Sequence, residues 1–352
     1  MDYQSSGIDL QDQNMFNASL ADKMPWLGGY AGAYDTGDDY IVSATDGIGT
    51  KIKLYTQNRD SPDVSIKNLG HDLVSAVMND IVCTGARPLF MNDYLSVHDL
   101  KSGDEYLELM DGIKEALLQC GPNVPLIGGE TAILPGDHKK GEFNLAGFGV
   151  GVVSKRDFID GREIEGGDMM IGLKSSGFHC NGYTLIRKVW DNIVSKDNVV
   201  TDNILKSLLA PSRIYVTSVL AVLKEHHPAV RGIAHISGGG RDNILRLLGE
   251  GFNLRPVWSD DWSRPEEFAW IQDKGDISDE EMKRVFNDGI GMILVVDKDK
   301  AVKIVEQLTT LGESPIICGH IKKRLKKGTD AMRKSNGKVI DFVHPLDGKM
   351  DV

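Results

Sequence analysis

The sequence predicts a two-domain α/β (α+β) protein, and three observations carry that expectation. Its 352 residues exceed one domain of ordinary size and leave material for two cores. Short apolar runs alternate with segments of helical spacing, above all in the first third of the chain. A charged, glycine-containing stretch from Ser154 to Asp168, SKRDFIDGREIEGGD, marks the boundary, giving domains at 1–167 and 168–352.

Taken in order, Asp39 to Ser43 reads as a strand that delivers the loop TDGIGTK. Leu69 to Cys83 has apolar residues at helical spacing, and His71 beside Asp72 reads as a cap at its start. Pro88 to Met91 is a short buried strand. Asp104 to Gln119 is an amphipathic helix with acids in its first turn and Gly121-Pro122 after its end. Pro125 to Ile127 is a strand ending at the turn Gly128 to Thr131, and NLAGFGVGVV from Asn144 is a strand whose glycines signal close backbone approach or bends. In the second half, Met169 to Leu173 is a strand, followed by the loop SSGFHCNGY and a helix through Trp190. Pro211 to Lys224 reads as a long helix, Ala234 to Ile236 as a strand, Arg241 to Leu248 as a helix after Ser237 to Gly240, Val285 to Val296 as a loop entering a buried strand, and Lys300 to Leu311 as a helix. From about Lys322 the chain is basic and aperiodic, a solvated tail.

The formal net charge is -11, spread along the chain, which excludes the broad positive surface that nucleic acid or an anionic membrane requires. An anionic substrate must therefore be held locally. Cys83, Cys120, Cys180 and Cys318 show no metal-binding spacing and read as free thiols of a reducing compartment. The acidic, polar N-terminus is unlike a signal peptide, and no segment approaches a membrane span, so a soluble cytoplasmic protein is expected.

Four stretches rich in Gly, Asp, Glu, Thr or Asn follow strands or open helices: Thr45 to Lys51, Gly70 to Asp80, Gly128 to Gly136 and Ser175 to Tyr183. One scheme satisfies them all. Carboxylates of Asp46, Asp80 and Glu130 hold magnesium, an oxygen-seeking cation usually shared with substrate phosphates. Amides around Gly47, Gly49, Thr50, Gly128, Gly129 and Thr131, with Asn79 and the ammonium of Lys51, serve the nucleotide's phosphate end. Each residue also has a plainer reading: Asp46-Gly47 is a common turn pair, and Asn79-Asp80 can be the polar side of a helix. His179, in a polar loop with Ser176 and Asn181 between Gly177 and Gly182, is a candidate acid/base, and Gly238, Gly239 and Gly240 before a helix form a phosphate cradle or a simple turn. Neither a P-loop nor a G-x-G-x-x-G dinucleotide motif is present.

Together TDGIGTK, NDIVCTGARPLF, GGETAILPG, AGFGVGVV, SSGFHCNGYTLIRK, PSRIYV, IAHISGGG and FNDGIGM resemble, in order and spacing, the phosphoribosylformylglycinamidine cyclo-ligase (aminoimidazole ribonucleotide synthetase) family of purine biosynthesis. The resemblance runs from Tyr3 to about Ile321. It implies a homodimer sharing a sheet between N-terminal domains, with ATP in a cleft and a C-terminal α/β domain completing it. It also implies ATP-dependent closure of formylglycinamidine ribonucleotide to aminoimidazole ribonucleotide, through phosphoryl activation of the formamide oxygen and attack by the tethered amidine nitrogen. On that reading Asp46, Asp80 and Glu130 surround magnesium and ATP, Lys51 serves phosphate, His179 stands at the reacting amide, and the turn at Ser237 to Gly240 serves the ribose phosphate.

The chain departs from the family pattern in three places. The N-terminal piece is short, with Ala21 where a lysine is expected and Lys23 beyond it; SGGGRDNI lacks an aromatic residue after its glycines; and the basic tail has no counterpart. Rival readings are a relative of the selenophosphate synthetase, thiamine monophosphate kinase or hydrogenase maturation dehydratase kind, or a nucleotide-binding protein without catalysis. The first cysteine, Cys83, lies within a helix, which disfavours the selenophosphate reading.

Overall fold

The computed structural model describes residues 1–8, 12, 15–16, 19–20, 23–24, 29–194, 202–248, 253–259 and 261–323. Ala21 and the tail beyond 323 lie outside them. The first half holds β1 (Gly32–Asp35), β2 (Asp39–Gly47), α1 (Lys51–Asn58), α2 (Lys67–Val82), β3 (Arg87–Val97), α3 (Gly103–Cys120), β4 (Leu126–Ile133) and β5 (Phe143–Ser154). The second holds β6 (Met169–Lys174), α4 (Tyr183–Val194), α5 (Asp202–Leu208), α6 (Val216–His226), β7 (Val230–His235), β8 (Leu254–Trp258), α7 (Glu266–Gly275), α8 (Asp279–Val285), β9 (Ile290–Val296), α9 (Ala301–Thr310) and β10 (Pro315–Lys323).

Each half builds one five-stranded sheet. The first has the order β1-β2-β5-β3-β4, antiparallel except for the parallel pair β3-β4. The second, β7-β9-β6-β10-β8, is antiparallel throughout.

In the first sheet, Tyr40, Val42 and Ala44 of β2 alternate inward and are buried beneath α2. The alternating glycines of β5 explain how closely that helix lies. A Cβ at Gly149 would fall 2.6 Å from Val77 Cγ1, and one at Gly151 2.6 Å from Ile81 Cγ2. A methyl at either of these glycines would force the helix side chains or α2 itself to shift. The same economy joins α2 to α3, where a Cβ at Gly112 would fall 2.3 Å from the Lys67 carbonyl oxygen.

Most of the long periodic elements fall where the sequence predicts them; four local expectations need correction. His71 lies inside α2, 3.9 Å from Glu115, and caps nothing. The stretch Gly128 to Thr131 is not a turn but the middle of β4. Residues 211–215 form neither helix nor strand and α6 starts only at Val216, because α2 hydrogen-bonds their backbone as described below. The segment Gly240–Leu247 is a 3-10 helix rather than an α-helix. The strand β10 carries the fold through Lys323, slightly past the expected start of the basic tail.

Candidate active site

The two halves meet along one side of α2. Asn68, Asp72, Ser75 and Asn79 recur at helical spacing and form a polar stripe. Every one of them bonds the 209–215 segment of the second half. Asn68 Nδ2 donates to Leu209 O at 3.1 Å, Asp72 Oδ1 accepts from Ser212 N at 2.8 Å and Ser212 Oγ at 2.6 Å, and Ser75 Oγ donates to Arg213 O at 2.7 Å. Asn79 uses both ends of its amide: Nδ2 donates to Arg213 O at 2.9 Å and Oδ1 accepts from Tyr215 N at 3.0 Å. The backbone of an irregular, partly buried segment is thereby satisfied without helix or sheet.

Lys51 belongs to this seam. Its ammonium lies 2.8 Å from Asp72 Oδ2 and donates to Ala210 O at 2.6 Å, with neither charged side chain exposed. The phosphate role expected of Lys51 does not match this placement, because the side chain is closed off and already neutralised. Asn79, expected near the nucleotide, is also fully buried and committed to the seam. The missing signal was Asp72: nothing in the sequence pairs a carboxylate inside one helix with a lysine at the start of another.

At one side of the seam the chemistry opens to solvent. Asp46 ends β2 and is exposed, while Asp80 accepts from His235 Nδ1 at 2.7 Å. The surrounding protein raises the Asp46 carboxyl above its usual range, and the charge of Asp80 raises it further. The Gly47 N–H bonded to Asp46 Oδ1 at 2.7 Å opposes this, as do His235 and Arg246. That bond occupies the Gly47 amide expected for phosphate. Gly49 adopts φ 58°, and Thr50 Oγ1 reaches Thr184 Oγ1 across the seam at 3.4 Å.

The loop before α4 brings His179 into this neighbourhood. The residue has φ 58°, uncommon for a side chain of its size, and it is 3% exposed. Gly291 makes room for it, since a Cβ there would lie 2.5 Å from His179 Cε1 and 2.1 Å from the Tyr215 hydroxyl. His179 Nε2 accepts from the backbone N–H groups of Ser176 and Arg213, both at 3.4 Å, and Nδ1 is buried without a partner among the described residues. Burial holds its pKa well below the ordinary histidine range, and the neighbouring His235, Lys51 and Arg213 act in the same direction. It is a neutral imidazole near neutral pH. Ser176 Oγ donates to Pro211 O at 2.5 Å, tying the loop to the same segment.

Asn181 reaches the turn after β7: a Cβ at Gly238 would lie 3.2 Å from its Oδ1. Gly239 and Gly240 adopt φ 97° and 57°, and Asn243 Nδ2 holds the carbonyls of Gly238 and Gly240 at 3.0 Å each. The turn is therefore braced from within, leaving Gly238 exposed.

Glu130 does not join Asp46 and Asp80. It pairs with Tyr94, which pairs with Ala146 opposite Gly47, whereas Asp46 stands opposite Gly147. Residues paired across a sheet share a face, so Glu130 and Asp46 point to opposite sides. Gly128, Gly129 and Thr131 are exposed on the same edge strand. Among the described residues no group of three His, Cys, Asp or Glu side chains can hold a metal. Asp93 does share the face of Asp46, for both pair with Gly147, and burial raises its carboxyl. Its only sequence signal was its place after the buried run PLFM. His235 falls within IAHISGGG and has no sequence signal of its own. A cavity of about 450 Å3 opens elsewhere, beside Arg241, Trp262 and Arg264, and none of the candidate residues lines it.

Comparison with known proteins gives this geometry a family. Residues 28–153 match the AIR synthase related protein N-terminal domain, and residues 165–329 the C-terminal domain. The phosphoribosylformylglycinamidine cyclo-ligase of Bordetella avium is 41% identical over 303 residues, covering 84% of both chains. That of Thermoanaerobacter sp. is 40% identical over 91% of this chain and 97% of its own, and the chloroplastic enzyme of Arabidopsis thaliana 39% over 88% and 78%. Among solved structures, thiamine-monophosphate kinase of Stenotrophomonas maltophilia superposes with a TM-score of 0.60 at 16% identity, covering 82% of this chain and 84% of its own. T. maritima PurL complexed with ATP gives 0.58 at 17%, covering 88% and 46%. These structural likenesses show the fold, and the sequence matches show the family. The chain belongs to the phosphoribosylformylglycinamidine cyclo-ligase (AIR synthase) family.

Proposed function

We propose that the protein closes the imidazole ring of aminoimidazole ribonucleotide from formylglycinamidine ribonucleotide at the expense of ATP. The observation that carries this reading is the match to cyclo-ligases over both domains. The terminal phosphoryl group of ATP passes to the formamide oxygen, the amidine nitrogen forms the new C–N bond, and inorganic phosphate leaves. With the nucleophile tethered in the substrate, the protein's task is positioning and charge neutralisation.

Asp46 and Asp80 are the residues to hold magnesium. Asp80 helps raise the Asp46 carboxyl, so a divalent cation there relieves an existing repulsion. Two carboxylates plus substrate phosphates are an ordinary magnesium environment. When bound, the ion neutralises phosphate charge. The unpartnered Nδ1 of His179 supplies a buried hydrogen-bond donor for the reacting amide, and the exposed Gly238 turn receives the ribose phosphate.

The protein also acts as a homodimer on this reading. Tyr34, Tyr94 and Phe148 stand exposed on the face of the first sheet away from α2, a surface suited to a second copy. Glu130 lies on that same face, which supports a role across the interface rather than with its own Asp46. Tyr94→Arg is expected to shift the sedimentation coefficient to that of a monomer.

The test is phosphate release from ATP with magnesium, with and without formylglycinamidine ribonucleotide, following the product in the same sample. One phosphate per product, dependent on substrate, is the expected result; turnover indifferent to that substrate overturns the reading. Asp80→Asn is expected to keep the fold and lose at least about a hundredfold in kcat.

A further inference from the structure

We infer that Asn79 is a positioning residue that fixes the tautomer of His179 through the backbone of Arg213. The inference rests on the proposed role of His179 only for its effect on turnover; the tautomer is a property of the protein alone. Three observations carry it.

The first is the pair of donors at Nε2. Ser176 N–H and Arg213 N–H both face that atom at 3.4 Å, and a backbone amide can only donate. A proton on Nε2 would set three N–H groups against one another, so Nε2 is bare and the proton sits on Nδ1. The contacts are long, so their direction depends on where the backbone of residue 213 is held.

The second is what holds it. Arg213 O receives Asn79 Nδ2 at 2.9 Å and Ser75 Oγ at 2.7 Å, while Tyr215 N gives to Asn79 Oδ1 at 3.0 Å. One amide thus grips the chain on both sides of Ile214. Asn suits the position because it alone among small side chains offers a donor and an acceptor on one rigid plane.

The third is the vacancy at the other ring nitrogen. Nδ1 is buried with no partner among the described residues, a donor the fold leaves unsatisfied. The opposite tautomer would present a bare acceptor there and could not donate to a carbonyl or phosphoryl oxygen.

The experiment uses the full-length protein labelled with 15N-histidine, with His179 assigned by its loss in His179→Gln. The wild type is expected to show a protonated Nδ1 and a bare Nε2. Asn79→Ala is expected to add a population protonated at Nε2 and to lower kcat between about tenfold and a hundredfold, with KM for ATP within about twofold. Asn68→Ala removes a comparable bond to the same segment, at Leu209 O, and is expected to leave tautomer and kcat unchanged. Should Asn79→Ala not fold, Ser75→Ala, which loses one bond to Arg213 O, is expected to shift the tautomer in the same direction by less. An Nε2-protonated wild type, or Asn79→Ala with tautomer and kcat intact, overturns the inference. A wild type with the expected tautomer but no ring closure overturns the proposed reaction and leaves the positioning role standing.

Discussion

Lys51 and Asp46 stand in one short stretch, yet they end in opposite surroundings. Lys51 is sealed in the seam between the halves, 2.8 Å from Asp72, with no exposed surface. Asp46 is exposed at the end of β2, raised by its surroundings and by Asp80, with only the neighbouring Gly47 amide directly on it. The first charge has every partner it needs and serves structure. The second is under-compensated and is suited to a ligand. Charge type and sequence neighbourhood do not separate the two; the difference lies in how far the chain itself supplies a partner.

Stability measurements sharpen that contrast. The largest effect is expected from Asp72→Ala, which strands a buried ammonium and should cost about 3–5 kcal/mol in urea unfolding. The double variant Lys51→Met with Asp72→Leu should recover most of it, and equal losses in the two would break the distinction. Next comes Gly149→Val, which drives a branched side chain into Val77 and Ile81 and should cost about 1–3 kcal/mol.

The pH dependence of His179 follows. Its folded pKa is depressed, so the unfolded chain binds the proton more readily. Stability is intact above the ordinary value of 6.5 and falls as pH drops below it, until the folded value is reached. The slope from this group should be at most about 1.4 kcal/mol per pH unit, and His179→Gln should remove it from the unfolding curve. Smallest of all is Asp46→Asn, expected within about 0.5 kcal/mol of wild type while ATP-dependent turnover is lost. A large destabilisation by that variant would place Asp46 with the structural charges instead.

Much of this architecture was legible in the sequence. The buried run of β9 and the helical spacing of α2 are strong because their periodicity reflects surroundings on all sides, and every residue of β9 is indeed buried. The glycines of NLAGFGVGVV announced a close approach that α2 supplies. What stayed hidden depends on partners distant in the chain. Residues 211–215 read as the start of a helix because their non-helical course is set by side chains of α2. Strand β10 reads poorly because it is held by β6 and β8. The mutual placement of Asp46 and Glu130 turns on sheet register, where a single residue decides the face.

The polar stripe of α2 has one more consequence, and it is kinetic. Each half closes its own sheet, and the stripe accepts the 209–215 segment in a single alignment. A slip by one residue carries these carbonyls and amides away from the side chains that meet them. Hydrophobic surfaces tolerate such slips, whereas this one does not. Docking of two formed halves is therefore expected as a separate late phase in refolding, slower than collapse. Fluorescence of a probe beside Tyr215 should report that phase after secondary structure is complete.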